Sequence, residues 1–405
     1  MLQYKTKYSW PWFIFFIAMF CFYTITVVQY AAHFMIWTYC LIVFIRRNEG
    51  KIRKSTLHNI LLVCGGYGLL VLWALISRIW AYGVMEDSAT LNGMIKILSI
   101  MLCMIIYVDS RHKVETILIS YVTALAVLAL LIMITSPISA YGTTNFGGIT
   151  QQFRNTIANA VFFGVVLVLA TPRYLKKNIR VIYIGLFLLT GLCTGSRRGI
   201  IQLVLIALLY ALTEYNINKK LKRLLLILLL LLLGGIILSS VPYFRETYWT
   251  RLFSIFDTSI DDAGGGEAST VGRNIYRMIA MDMFRMRPLT GFGIDGFHCY
   301  LADHPYTYTT FAVRAVYSHC NYTELLADFG ILGFIFYYIL HFNILKRILK
   351  FYKENNYFRL TLIIILATLV LDYGGIFFQS NFAMYMYTIL FLGVIYNNDM
   401  NLTSK

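Results

Sequence analysis

Twelve apolar runs separated by polar breaks make up most of this chain. They fall near residues 11–29, 31–45, 57–80, 93–108, 114–136, 154–171, 179–195, 199–213, 224–241, 319–345, 359–378 and 380–396. A helix rises 1.5 Å per residue, so crossing a ~30 Å hydrocarbon core takes about 20 apolar residues. The pattern predicts an all-α, polytopic membrane protein of about twelve transmembrane helices. One break is far longer than the rest, about residues 242–318. The chain therefore reads as a single integral membrane domain, 1–405, with 242–318 inserted as one long extracytoplasmic loop. No internal repeat is visible. Trp10–Gln29 has no small-residue cleavage site and a second run follows at once, so it reads as the first anchor rather than a cleavable signal.

The short breaks differ in charge, and the difference alternates. With the N-terminus inside, the inner loops are Arg46–Lys54, Asp109–Glu115, Pro172–Arg180, Glu214–Arg223 and Lys346–Arg359. Together they hold twenty of the 35 Lys and Arg. The outer break Ala81–Asn92 has Glu86 and Asp87 and no base. This is the bias that places Lys and Arg on the cytoplasmic side, and it predicts that both termini are cytoplasmic. It also explains the net charge of +16 without nucleic acid. The 59% hydrophobic and 13% charged composition stands far from the roughly one quarter charged of a soluble chain.

Basic residues on the outer side run against the bias, and nearly all are arginine. Arg78, Lys96, Arg154, Arg197 and Arg198 lie at or near outer ends of runs. The long loop adds Arg245, Arg251, Arg273, Arg277, Arg285, Arg287 and Arg314. A guanidinium grips phosphate bidentately, whereas an ammonium is a point charge. Long basic side chains also snorkel to headgroups, which accounts equally well for Arg78 and Lys96. Arg197 and Arg198 differ from these because they sit in the tight break Gly195-Ser196-Arg197-Arg198-Gly199. A structural ion pair of Arg197 with Glu324 or Asp328 is the competing reading.

Within the loop, Asp261-Asp262-Ala263-Gly264-Gly265-Gly266 is a run of turn formers. Gly272–Arg287 reads as an amphipathic helix ended by Pro288. Arg273 and Arg277 share one face, while Ile275, Ile279, Met283 and Met286 line another that packs on the membrane domain. Leu289–Phe297 is rich in glycine but follows no strand, so it is no nucleotide loop. At the return into the membrane come His319, Asn321, Tyr322, Glu324 and Asp328, polar groups that are costly there unless paired or functional. A histidine near its usual pKa of about 6.5 takes a proton at neutral pH. Glu324 is the alternative base, Tyr322 one turn on orients the ring or stacks on a sugar, and Asp328 pairs an arginine. His298 and His304 are weaker rivals. Five of the seven cysteines lie in apolar runs as small hydrophobes. Cys299 and Cys320 flank the loop and are candidates for a disulfide.

Three stretches together resemble the O-antigen polymerase and O-antigen ligase superfamily, the Wzy-type membrane enzymes. They are Thr194-Gly195-Ser196-Arg197-Arg198-Gly199, then Gly272-Arg273 with Arg287-Pro288-Leu289-Thr290-Gly291-Phe292-Gly293, then His319 with Tyr322, Glu324, Gly330 and Gly333. The likeness covers roughly residues 185–345. One departure is that Cys320 follows the histidine where the family usually has asparagine, which here is Asn321.

The resemblance implies a GT-C-type helical fold and metal-independent glycosyl transfer outside the bacterial cytoplasmic (inner) membrane. The donor it implies is an oligosaccharide on undecaprenyl pyrophosphate, and the main product a polymer of O-antigen, capsule or exopolysaccharide repeat units. His319, Arg197, Arg273 and Glu324 become the expected catalytic residues. Arg198, Arg277, Tyr322 and Asn321 become the expected substrate-binding ones. No cofactor or metal is expected, since no Asp-x-Asp appears on the outer side. Expected partners are the lipid-linked oligosaccharide, membrane lipid, and a flippase and chain-length regulator of the same pathway. Ligation to a lipid A core is the alternative. A transporter or flippase is the alternative of another class. It accounts for the spans, but not for arginines gathered beside one large outer loop or for the lack of a repeat.

Overall fold

The computed structural model describes residues 9–48, 53–83, 89–141, 146–171, 175–214, 216–240, 245, 268–304, 316–353 and 355–402. Arg251, Asp261, Asp262, Gly264 and Arg314 lie outside them. Among the described residues there are fourteen α-helices and no strand. They are α1 (Trp10–Cys21), α2 (Thr26–Asn48), α3 (Lys54–Ser77), α4 (Ala89–Tyr107), α5 (Arg111–Thr135), α6 (Arg154–Leu169) and α7 (Lys177–Cys193). Then follow α8 (Arg197–Leu212), α9 (Ile217–Ser240), α10 (Ala268–Met286), α11 (Gly296–Asp303), α12 (Asn321–Phe351), α13 (Asn356–Leu371) and α14 (Asn381–Leu402).

All but α10 and α11 coincide with the twelve apolar runs. Six segments among the described residues are long and apolar enough to cross a membrane: Thr26–Arg47, Lys54–Ser77, Ala89–Tyr107, Arg111–Thr135, Asn321–Phe351 and Asn356–Gly374. α1 and α6 are shorter, with 12 and 16 residues, or about 18 and 24 Å at the α-helical rise. α1 earns its apolar sequence inside the bundle. Trp12, Phe15, Phe16 and Phe20 are fully buried. Phe16 meets Tyr121 of α5 edge-on at 5.1 Å, and Phe20 stacks on Phe382 at 4.4 Å. α5 packs along α1, α3 along α12 and α6 along α7.

At one end of the bundle, charged loops pair with each other. Arg47 meets Asp109 at 3.0 Å, and Arg359 meets Glu214 at 3.0 Å. Each pair joins two loops that the charge pattern puts on the same side.

α12 is the element that organises the other end. It is broken at Gly330, whose φ of 64° and ψ of −166° belong to a region open essentially to glycine alone. A break frees carbonyls that would otherwise be bonded along the helix, and in an apolar setting they must find donors. The segment after α10 supplies two of them and Trp73 of α3 a third. Phe292 N donates to Ala327 O at 2.8 Å, Gly293 N to Asp328 O at 2.7 Å, and Trp73 Nε1 to Phe329 O at 3.0 Å. In return Ile331 N donates to Pro288 O at 2.9 Å. The glycine-rich turn is thus a plug seated in a gap of α12.

Asp328 completes this joint. Its Oδ1 accepts from Phe297 N at 2.8 Å, near the start of α11. The expectation that Asp328 pairs an arginine is replaced by this helix-capping role. Ile279, Ala280 and Met283 of α10 pack with Phe292, Phe297, Leu301 and Ala327 of α12, as the apolar stripe predicts. Met286, expected on that stripe, is instead 59% exposed in the last turn of α10. Cys299 and Cys320 are both free thiols, which removes the candidate disulfide.

Candidate active site

A cavity of about 400 Å³ opens between α6, α8, α10 and the segment joining α13 to α14. Arg198, Arg273, Tyr317 and His319 line it together. Each arrives by a different local device.

Arg198 is the second residue of α8. Ser196 caps that helix, its Oγ accepting from Gly199 N at 3.0 Å and donating to Asn155 Oδ1 at 2.7 Å. Two arginines in the first turn sit at the positive end of the helix dipole, an unfavourable place unless an anion is present. The Arg198 side chain is laid across the α13–α14 segment. Nη2 donates to Leu371 O at 3.3 Å, and the guanidinium carbon lies 4.7 Å over the Phe377 ring. A Cβ at Gly375 would overlap Arg198 Nη1, so a side chain there would displace the guanidinium. Asp372, fully buried, acts on Arg198 electrostatically and accepts from Tyr338 Oη at 2.6 Å.

Arg273 comes from the first half of α10, and burial followed by the neighbouring Arg277 lowers its pKa. His319 is held in an unusual backbone conformation, φ 58°, just before α12. The bonds around it explain how. Ser318 N donates to Glu324 Oε2 at 2.5 Å, Ser318 Oγ donates to Cys320 O at 2.9 Å, and Thr323 Oγ1 donates to Ser318 Oγ at 3.1 Å. The imidazole rests 4.3 Å from the Tyr317 ring and 6.0 Å from the Tyr276 ring. Burial, then Arg273, Arg277 and Arg198, depress its pKa to about 4. It is a neutral imidazole at neutral pH.

The remaining expected residues surround the cavity without lining it. Arg197 precedes Arg198 on α8 and is not among the lining residues. Arg277 lies over the Tyr373 ring at 4.2 Å and donates to Asn274 Oδ1 at 3.2 Å. Glu324 braces the Ser318–His319 turn. Asn321 spends its amide on the α13–α14 segment. Its Oδ1 accepts from Phe377 N at 2.9 Å and Phe378 N at 3.2 Å, and its Nδ2 donates to Tyr338 Oη at 3.0 Å. Tyr322 donates to Leu369 O and stacks on Tyr338 at 5.3 Å. His304 stacks on Tyr300 at 4.4 Å, away from the cavity.

Sequence reading passed over Asp372, Gly375 and the amides of α6. Asp372 carried a signal, since an ionisable group inside an apolar run is costly unless it has a task. Asn155 and Asn159 carried none, because amides at a helix start are common.

Residues 182–338 match the family model described as O-antigen ligase. That segment is similar to the O-antigen ligase and polymerase superfamily. No curated protein is similar enough to match it. The O-antigen segment runs from α7 to the middle of α12, so it includes Arg198, Arg273 and His319. It ends before Asp372 and Gly375 and begins after Asn155. The match and the six segments long and apolar enough to cross a membrane fit a multi-pass membrane protein.

Proposed function

We propose that the protein polymerises lipid-linked oligosaccharide repeat units, moving a glycan from undecaprenyl pyrophosphate to a sugar hydroxyl on the outer side of the cytoplasmic membrane. The observation that carries this reading is the convergence of Arg198, Arg273 and His319 on one cavity. In the transfer the acceptor oxygen bonds to the anomeric carbon, and the bond from that carbon to the pyrophosphate oxygen breaks. The electron pair leaves with the pyrophosphate, and the acceptor proton passes to His319. Two fixed guanidinium groups oppose the charge that develops on the leaving group, the kind of preorganised stabilisation that lowers barriers most. The pyrophosphate in turn offsets the arginines that depress His319, raising its proton affinity when substrate is present.

The reading places Arg198 in the role that the sequence pattern favours for Arg197, with Arg197 beside it at the helix start. Glu324 and Asn321 act as positioning residues, holding the His319 turn and the Gly375–Phe378 segment. Arg277 and Tyr322 support the same framework. Among the described residues no Asp or Glu lines the cavity, whereas a divalent cation prefers oxygen ligands, carboxylates above all. Activity is therefore expected to survive EDTA, and loss that magnesium or manganese restores would end the arginine argument.

Ligation is the second reading, favoured by the description of the matching family. The test is purified protein given lipid-linked repeat units, with and without lipid A core. A ladder from repeat units alone supports polymerisation. Product only when core is added makes it a ligase, and no glycan leaving the pyrophosphate under either condition overturns both.

A further inference from the structure

Amide side chains line the cavity together with the arginines. Asn155 and Asn159 stand on α6, and Gln379 and Asn381 lie between α13 and α14 and at the start of α14. The Asn159 Oδ1 is buried and has no hydrogen-bond partner among the described residues, although its backbone carbonyl is used by Gln202 at 3.1 Å. A buried acceptor left open is unfavourable, so it asks for a donor from outside the chain. Asn155 ties this wall to the arginines, since its Oδ1 accepts from the Ser196 hydroxyl that caps α8. An aromatic face is also at hand in Phe377, the ring beneath Arg198.

We propose that this wall holds the sugar joined directly to the donor pyrophosphate, and that it takes an uncharged ring presenting hydroxyl and N-acyl groups. The inference rests on the pyrophosphate reading above. Amides both donate and accept, which suits hydroxyl and N-acyl groups, and planar rings suit sugar faces. A ring bearing an ammonium group would face two arginines and, among the described residues, no lining carboxylate. The volume of about 400 Å³ is at the low end of ligand sites, roughly 300–1,000 Å³. It accommodates a pyrophosphate with its first sugar, and the rest of the repeat unit lies outside.

The test compares two ligands on the purified full-length protein in lipid nanodiscs: undecaprenyl pyrophosphate, and the same lipid carrying N-acetylglucosamine. The sugar should tighten binding about tenfold, the worth of one or two net hydrogen bonds. Asn159→Leu, nearly equal in volume, and Gln379→Ala should lose most of that increment. Both should bind the bare pyrophosphate lipid as the wild type does, which also shows that they are folded. Arg198→Lys should weaken both ligands alike and keep the increment. If the sugar adds nothing in the wild type, or both amide variants keep the full increment, the sugar wall is wrong and the pyrophosphate reading stands. If the wild type binds neither lipid, the pyrophosphate reading itself fails and the inference falls with it.

Discussion

Arg197 and Arg198 are neighbours in sequence, yet their surroundings differ. Adjacent helical positions point about 100° apart, and Arg198 is the one that lines the cavity. Arg198→Lys and Arg273→Lys should each cost about a hundred- to a thousand-fold in polymerisation rate, the worth of a fixed donor at a developing charge. Arg197→Lys should cost a small fraction of that. Arg285→Lys should be nearly silent, because Arg285 is exposed and paired with Asp282 at 2.6 Å. Ladder length at matched membrane levels measures all four, and equal ladders from wild type and Arg198→Lys would remove the bidentate grip. His319 yields a prediction of another kind. Its folded pKa is about 4 against about 6.5 unfolded, so the unfolded chain binds the extra proton first. His319 contributes no penalty above about pH 6.5, and a growing one as pH falls from there towards 4. His319→Asn, which tolerates the left-handed backbone, should lose less melting temperature than wild type between those pH values. Parallel curves for the two proteins would show that His319 is not held neutral.

At the scale of elements, the joint between α12 and the glycine-rich turn decides where His319 can be. The turn was legible as a turn, and Gly330 and Gly333 as part of a resemblance. That the two interlock was not, because hydrogen bonds between Phe292 and Ala327, or Gly293 and Asp328, join positions that no local spacing relates. The apolar stripe of α10 was legible from its period and correct as far as Met283. Asn321 misled for a related reason. Beside a histidine it looks like a ligand-binding amide, yet its acceptor is consumed by two backbone N–H groups of a segment more than fifty residues away. Gly330→Ala should destabilise the protein by about 1–3 kcal/mol, since the conformation is closed to other residues and a Cβ would overlap Leu289. Gly185→Ala, where a Cβ meets nothing within 4 Å, should be neutral or slightly stabilising. Melting in detergent compares them, and an unshifted Gly330→Ala would mean that the break is not fixed by glycine.

Across the whole molecule, each of the twelve apolar runs coincides with a helix, and six segments among the described residues are long and apolar enough to cross a membrane. A run such as Trp10–Cys21 is apolar because it is buried among other helices, and composition alone does not separate that from facing lipid. The sidedness remains a prediction of charge. Reporter fusions at Asn356 and Gly265 should report opposite faces, and agreement between them would overturn the placement of the cavity outside. The cavity itself is drawn from two parts of the chain. Its two arginines and its histidine, Arg198, Arg273 and His319, lie inside the stretch matched by the family, 182–338. Its amides, Asn155, Asn159, Gln379 and Asn381, lie on either side of that stretch. On the proposed roles, the residues of chemistry and those of selectivity lie in different parts of the chain. A chimera given residues 182–338 of a relative should keep its host's choice of repeat unit, while one given the flanking helices should change its diet without changing its reaction.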